Sequence, residues 1–540
     1  MKKLKLTQHT EYLIIVLFAI VPLFSSFPYR VNIFLSWEGA YRMSQGQMPF
    51  ADFGMPLGYG YWLIPALSFK IFGAHLLSLV KAQAFINVLA GISFCSILGA
   101  LGVERRLRII AVFLFCLSYS FFNFWPWYNH SVIVYQLISI AFALQGIVAA
   151  SRIKKTSFLV LSGAFSFIAF FTKQDAGALA ILLNLAIVLI DAIYERSWRT
   201  ILPYIAGLVI LSLAIILPLS NTQFSYWFNY GQPPHTSRMA LMDFADAFFY
   251  ESQWIKFYLV VIALLIIPAI KSKSFFSNKQ EVLFLFLTLA ILAEATLFQV
   301  TSYTPPDNNI FFHSFAVSYI LYLLSKQYRI LNFQLTSTFL IAFAGIALWW
   351  STNYWKYVNR VLSRFSPNTE ATTAANIHAV TKHNYILDKD TTDVPMSQWK
   401  FTKRKGFEGI YMPPSTVDGI ERVFKMEAFT KSSTPRKILN LTELTPLAVE
   451  MQYEPEKGAN IPLWHHRGVS LFDREIALYN ARISEKKYDI VLFEYLPKLN
   501  NFFPFEIRDS LLQHYNLVDS FHAPRRPTDS WIEVFIPKKP

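Results

Sequence analysis

Long apolar runs separated by short polar connectors fill the first two thirds of the chain. A membrane span needs about 20 mostly apolar residues, within a range of about 17–25. Runs of this kind lie near 10–29, 76–102, 107–124, 130–150, 157–173, 176–194, 200–220, 254–271, 281–301, 309–326 and 333–352. A shorter run, YGYWLIPALSFKIFG (59–73), is interrupted by Pro65 and Lys70 and predicts an interfacial helix, with a twelfth span as the alternative. Past about residue 353 the pattern changes to charges, prolines and short alternating runs. KILNLTEL (437–444), YDIVLFEYL (488–496), NLVDSF (516–521) and WIEVFI (531–536) predict strands, and FPFEIRDSLLQHY (503–515) predicts a helix. The expected fold is a polytopic α-helical membrane protein of about eleven transmembrane helices over 1–352, followed by a soluble α/β domain over 353–540.

The basic residues orient this plan. MKKLK (1–5), ERRLR (104–108), SRIKK (151–155), YERSWR (194–199), KSKSFFSNK (271–279) and KQYR (326–329) fall in alternate connections. Lysine and arginine mark cytoplasmic loops. Eleven spans then put the N-terminus in the cytoplasm and the C-terminal domain outside. Twelve spans would reverse the charge pattern of every later loop. No A-x-A-like cleavage site follows the first apolar run, which therefore reads as an uncleaved helix.

Composition agrees with the pattern. The chain is 54% hydrophobic with 50 phenylalanines, and only 16% charged, against about 25% for soluble proteins. The net charge of +14 is explained by basic loops and does not call for nucleic acid. Cys95 and Cys116 lie in apolar runs without C-x-x-C spacing, which disfavours a zinc site or a disulfide. Dinucleotide and Walker glycine patterns are absent.

The unusual polar residues gather in connections expected on the outer side. The loop 30–75 contains SWEGAYRMSQGQMPFADFGMPLGYGYW (36–62). Ser36 is a plausible N-cap for a helix through about 37–46 ended by Gly46. Glu38, Tyr41, Arg42 and Gln45 would share one face of it. That face could carry acid/base chemistry; equally, Glu38 could simply complement the helix dipole. Asp52 is either a turn aspartate or a second functional acid. In TKQDAG (172–177), Lys173 ends a span against the charge bias, beside Gln174 and Asp175. It could snorkel or hold an anion at the membrane edge. Asn129 and His130, and Asn309 and His313, stand at two further helix mouths, as structural or substrate-facing groups. The pair His465–His466 in PLWHHRG has no carboxylate at ligand spacing and reads as a loop.

The first outer loop resembles that of the GT-C glycosyltransferases, membrane enzymes that take sugar from a polyprenyl-phosphate carrier. Their bacterial branch, including protein O-mannosyltransferases and lipid A aminoarabinose transferases, has an acid before Gly, a short helix, G-x-x-P-[YF]-x-D-F, then P-x-G and an aromatic run. Here these are Glu38-Gly39, GQMPFADF, PLG and YGYW. TKQDAG resembles a K-Q-D-x-G run of that branch, and HSFAVSYI its histidine-bearing late span. The likeness covers roughly residues 1–352 and implies a bacterial inner (plasma) membrane. It implies an inverting transferase with Glu38 as general base and Asp52 assisting. Lys173, with Arg42 or His313, would hold the donor phosphate, and Tyr41, Gln174, Asp175, Asn129 and Asn309 would contact substrate. The partners implied are a polyprenyl-phosphate-linked sugar and a glycan, lipid or protein acceptor. A single acid stands where the family often has Asp or two adjacent acids, so no metal ligand is assigned and the need for a divalent cation stays open. A lipid-linked glycan flippase, or a glycan polymerase or ligase, are the competing readings.

Overall fold

A computed structural model describes residues 9–29, 33–120, 124–231, 241–271, 275–302, 310–326, 331–362, 394–430, 436–467, 469, 471–497, 500, 502–525 and 530–539. Its N-terminal part is helical: α1 (Thr10–Ile20), α2 (Ile33–Ser44), α3 (Leu63–Phe72), α4 (Leu76–Ala100), α5 (Arg105–Cys116), α6 (Tyr128–Val148), α7 (Arg152–Thr172), α8 (Gln174–Tyr194), α9 (Leu202–Leu219), α10 (Leu241–Asp246), α11 (Gln253–Lys271), α12 (Lys279–Ser302), α13 (Ile310–Lys326), α14 (Thr336–Trp349) and α15 (Ser351–Leu362). Among the described residues, seven helices are long and apolar enough to cross a membrane: α4, α6, α7, α8, α9 with its preceding turn, α11 and α12. Helix also forms in the other four predicted runs, but in shorter pieces. The first ends early because Pro22 opens a 3-10 turn and Phe27–Pro28 is extended.

The outer surface of this bundle is apolar where a soluble protein would be polar. Ile210, Leu213 and Leu217 of α9, and Phe257, Val260 and Leu264 of α11, are exposed. Such surfaces are stable against hydrocarbon and aggregate in water. Helix α3 has ten residues, about 15 Å of rise, roughly half of a bilayer core of about 30 Å. It exposes Leu63, Leu67 and Ile71, a stripe at i, i+4, i+8.

Two of the basic clusters are more than topological markers. Lys155 and Lys279 converge on Asp191, at 2.8 and 2.7 Å, where the carboxylate is fully buried. The sequence also predicts odd polar groups only at the helix mouths. The structure adds one deep in α12: Glu294, buried, with its Oε2 2.7 Å from Gln136 Nε2 of α6. One carboxyl among apolar neighbours vanishes in a hydropathy average.

The C-terminal part builds two sheets. Strands β2 (Lys400–Phe401) and β3 (Ile410–Met412) are antiparallel, and β1 (Phe27–Pro28), from just after the first helix, joins β3 in parallel. The larger sheet contains β4 (Ile438–Leu441), β5 (Ile490–Tyr495), β6 (Tyr515–His522) and β7 (Trp531–Pro537) in the order β4-β5-β7-β6, parallel at β4–β5 and antiparallel elsewhere. Every residue from Ile490 to Glu494 in β5 is buried, as a central strand covered on both faces requires. One hydrophobic core runs from Phe27, Trp37, Phe53 and Trp62 of the first loop into Ile438, Leu492 and Phe535 of the sheet. Loop and sheet are therefore packed as a single unit.

Candidate functional site

Helix α2 begins at Ile33, so Ser36 is inside it and not its N-cap. The Ser36 hydroxyl instead donates to the Pro126 carbonyl. Buried Ile33 and Leu35 extend the helix backwards, because packing decides where the local cap signal is weak. At the other end Gly46 takes φ +85° and returns its N–H to Met43, the left-handed stop that glycine supplies without strain.

One face of α2 carries Glu38 and Arg42. Arg42 Nε and Nη2 both donate to Glu38 Oε1, at 2.8 and 2.6 Å. Its Nη1 donates to Gln47 Oε1 at 3.1 Å and to the Glu456 carbonyl at 2.5 Å, and the guanidinium lies 5.1 Å from the Phe53 ring centroid. Burial pushes the Glu38 carboxyl above its ordinary range, and Arg42 partly offsets that. The two residues line a cavity of about 50 Å³, closed on its other side by Thr445, His465 and Tyr479 from the C-terminal part. Tyr41 stacks on Trp37 at 4.6 Å; Trp37 lines the same cavity, and Tyr41 faces a neighbouring one of about 360 Å³ shared with Gln45 and Lys70.

The turn after α2 seats the C-terminal chain. Asp52 Oδ2 accepts the Met48 N–H at 2.7 Å, closing residues 48–52. Its carbonyl accepts Gly458 N–H at 2.8 Å. Gly54 then donates to Ile461 and accepts from Leu463, at 2.7 and 2.8 Å, in a parallel bridge with Pro462. A side chain at Gly54 would meet the Tyr226 ring at 2.3 Å. The strap so held delivers His465 to the cavity. His465 Nδ1 lies 3.1 Å from Glu475 Oε2, and Tyr226 OH donates to Glu475 Oε1. The carboxylate that the sequence lacks at ligand spacing is ten residues on, in the first turn of the helix Phe472–Ser484. Nothing local in the sequence connects Tyr226, Glu475 and His465.

Lys173 is elsewhere, at the junction of α7 and α8. Its Nζ is 3.0 Å from Asp175 Oδ2, and 6.0 Å from the Phe298 ring centroid. Burial lowers its pKa, and Asp175 opposes this. Gln174 Nε2 donates to the Trp227 carbonyl at 2.6 Å. Phe298 packs on Phe312, the neighbour of His313. His313 stacks on Trp254 at 4.1 Å, and its Nδ1 is 2.9 Å from Tyr258 OH. Asn129 sits in the first turn of α6, where its Oδ1 is buried without a partner among the described residues. Asn309 lies outside the described residues. The Glu38 cavity is lined by neither Asp52, Lys173 nor His313. What joins the two regions is the remainder of the loop. A Cβ at Gly58 would fall 1.6 Å from the Phe171 carbonyl, so the loop backbone lies directly on the end of α7, two residues before Lys173.

A second buried ionic cluster lies in the C-terminal part. Arg525 pairs with Glu443 and Glu494, both at 2.7 Å, and all three are almost wholly buried. Burial raises the Glu494 carboxyl and Arg525 opposes it. Tyr29 OH, from just before α2, donates to the Glu443 carbonyl. Among the described residues no three His, Cys, Asp or Glu side chains group as metal ligands.

No family model and no curated protein matches this chain. Solved structures similar to it include ArnT from Cupriavidus metallidurans bound to undecaprenyl phosphate, 12% identical over 98% of both chains with a TM-score of 0.49. The same protein in the apo state is 13% identical over 97% of both chains, with a TM-score of 0.44. The Archaeoglobus fulgidus oligosaccharyltransferase in complex with zinc and sulfate is 12% identical, over 98% of this chain and 75% of that one, with a TM-score of 0.43.

Proposed function

We propose that this chain is an integral membrane glycosyltransferase of the GT-C type. It moves a sugar from a polyprenyl-phosphate carrier to a cell-surface acceptor at the outer face of the membrane. The observation that carries the reading is Glu38: a desolvated carboxylate, held by Arg42 through one oxygen, lining a cavity beside an apolar helical bundle. The loop motif of the GT-C enzymes points to the same residue.

In the reaction, Glu38 takes the acceptor hydroxyl proton while that oxygen bonds to the anomeric carbon. The bond from that carbon to the phosphate oxygen breaks, and its electron pair leaves with the lipid phosphate. A base works best with a pKa near the operating pH, and burial moves Glu38 in that direction. Arg42 fixes the carboxylate and favours its charged form. Lys173, with His313 as a second group, holds the donor phosphate at the mouth of α7 and α8, where the lipid tail can stay in the bilayer. Stabilising the leaving oxyanion there lowers the barrier. Asp52 acts on the loop by closing the 48–52 turn. Direct displacement by one base inverts the anomeric centre.

The test is transfer from a synthetic polyprenyl-phosphate sugar by the purified protein and by Glu38→Gln. Loss of transfer in a folded variant supports the assignment, whereas a product of retained configuration rejects the mechanism. A transporter of lipid-linked glycans is the second reading, favoured by the carboxyl of Glu294 in mid-helix. Movement of an intact lipid-linked glycan across vesicles, without transfer, would select it.

A further inference from the structure

Three residues that line the cavity beside Glu38 each carry a polar atom that is buried and without a partner among the described residues: Trp37 Nε1, Thr445 Oγ1 and His465 Nε2. Stranding polar groups costs about 1–3 kcal/mol each, so three around one void point to a polar guest. A water needs at least about 10–15 Å³ by this measure. A void of about 50 Å³ therefore holds a few waters, or the hydroxylated edge of a larger molecule.

The chemistry of the walls narrows the guest. An anion would meet Glu38 with no cation to spare, because Arg42 is already committed to Glu38, Gln47 and the Glu456 carbonyl. A hydroxyl both donates and accepts, which is what the walls ask for. Trp37 Nε1 can only donate. A carboxylate can only accept, so Glu475, which already receives Tyr226 OH on Oε1, requires the proton of His465 on Nδ1. In the neutral imidazole that leaves Nε2 as a bare acceptor. The same logic, a carboxylate choosing the tautomer of a histidine, operates in the serine protease triad.

We infer that His465 is a specificity-determining ligand for a substrate hydroxyl in the Glu38 cavity, and that Glu475, anchored by Tyr226, is the positioning residue that makes its Nε2 an acceptor. The guest is the polyol edge of a sugar, received with Trp37 Nε1 and Thr445 Oγ1 as further partners. This rests on the glycosyltransferase reading for the identity of the sugar as substrate, but not for the tautomer or for binding.

The experiment uses the full chain in nanodiscs with ¹⁵N-labelled histidine. The resonances lost in His465→Gln identify His465. Nδ1 is expected to carry the proton, and Glu475→Gln to move it to Nε2, since an amide can donate to Nδ1. Methyl glycosides of hexoses and pentoses should shift the Nε2 resonance; inorganic phosphate, the anionic control, should not. Glu475→Gln should weaken glycoside binding by roughly 2- to 10-fold, the worth of one neutral hydrogen bond. Tyr226→Phe should give a smaller loss with the tautomer kept. Protonation at Nε2 in the parent protein, a response to phosphate alone, or no response to any glycoside overturns the inference. Loss of the base role of Glu38 would appear in the transfer assay instead, so the two claims fail separately.

Discussion

Arg42 places two of its nitrogens on a single oxygen of Glu38, at 2.8 and 2.6 Å, and leaves Oε2 without a hydrogen bond among the described residues. A symmetric fork would have occupied both oxygens. The one-sided grip holds the carboxylate and keeps one oxygen for a proton. Replacing Glu38 by Gln should cost about 10²–10⁴ in kcat, the usual worth of a positioned base. The thermal midpoint should stay near that of the parent, because the amide oxygen can still accept from Arg42. Both are read from transfer assays and calorimetry on the same preparation.

The acid limb of the kcat/KM profile should lie above pH 4.5, the ordinary position of a glutamate, because burial raises Glu38. Activity falls as pH falls through the raised Glu38 pKa, since a general base must be unprotonated. Arg42 lowers the Glu38 pKa. Arg42→Lys, which loses the paired bonds, should therefore move the limb to higher pH. A limb that moves to lower pH, or not at all, would separate Glu38 from the profile.

Lys173→Met should raise KM for the lipid-phosphate donor by roughly ten-fold or more, the loss of a charge-assisted contact. The acceptor KM should hardly move. Titrating each substrate separately distinguishes donor binding from a general structural effect.

Gly58→Ala should destabilise the protein by about 1–3 kcal/mol, the usual cost of overpacking. The new Cβ would stand 1.6 Å from the Phe171 carbonyl, so the backbone has to move. Because that contact lies beside Lys173, transfer should fall along with the thermal midpoint. Gly345→Ala, with open space around it, is the control.

Arg525→Leu should destabilise by about 3–5 kcal/mol, as expected when one partner of a buried ionic group is removed. Glu443 and Glu494 would be left facing each other. Glu494 already stands above 4.5 by burial, and Arg525 opposes that rise. The substitution therefore raises it further. A carboxyl whose folded-state pKa exceeds its unfolded value loses stability for the protein as pH rises from the unfolded value through the folded one. The deficit should thus be larger at pH 8 than at pH 5, by denaturation at both.

The helices were readable because a 20-residue apolar run has few other fates, and the strands because β5 and its neighbours are short runs rich in branched and aromatic residues. The Glu38–Arg42 pair was readable from i, i+4 spacing alone. Ser36 misleads as a cap because tertiary burial of Ile33 and Leu35 outweighs the local signal. His465 could not be recognised, since its partner Glu475 stands 10 positions away, the Tyr226 that anchors Glu475 stands 239 away from His465, and no periodicity links them. Glu294 was lost for the opposite reason: a single carboxyl barely alters the hydropathy of its window.

The Arg42–Glu456 bond joins residues 414 positions apart, and so does Tyr29–Glu443. Synthesis proceeds from the N-terminus at about 5–20 residues per second. Glu38 is thus made some tens of seconds before the strap that covers it, and during that interval its carboxyl is open to solvent. An unfinished chain has the Glu38 carboxylate but not its cover. Closure of the cavity is therefore a report that translation has reached the far end, and desolvation of Glu38 is postponed until then.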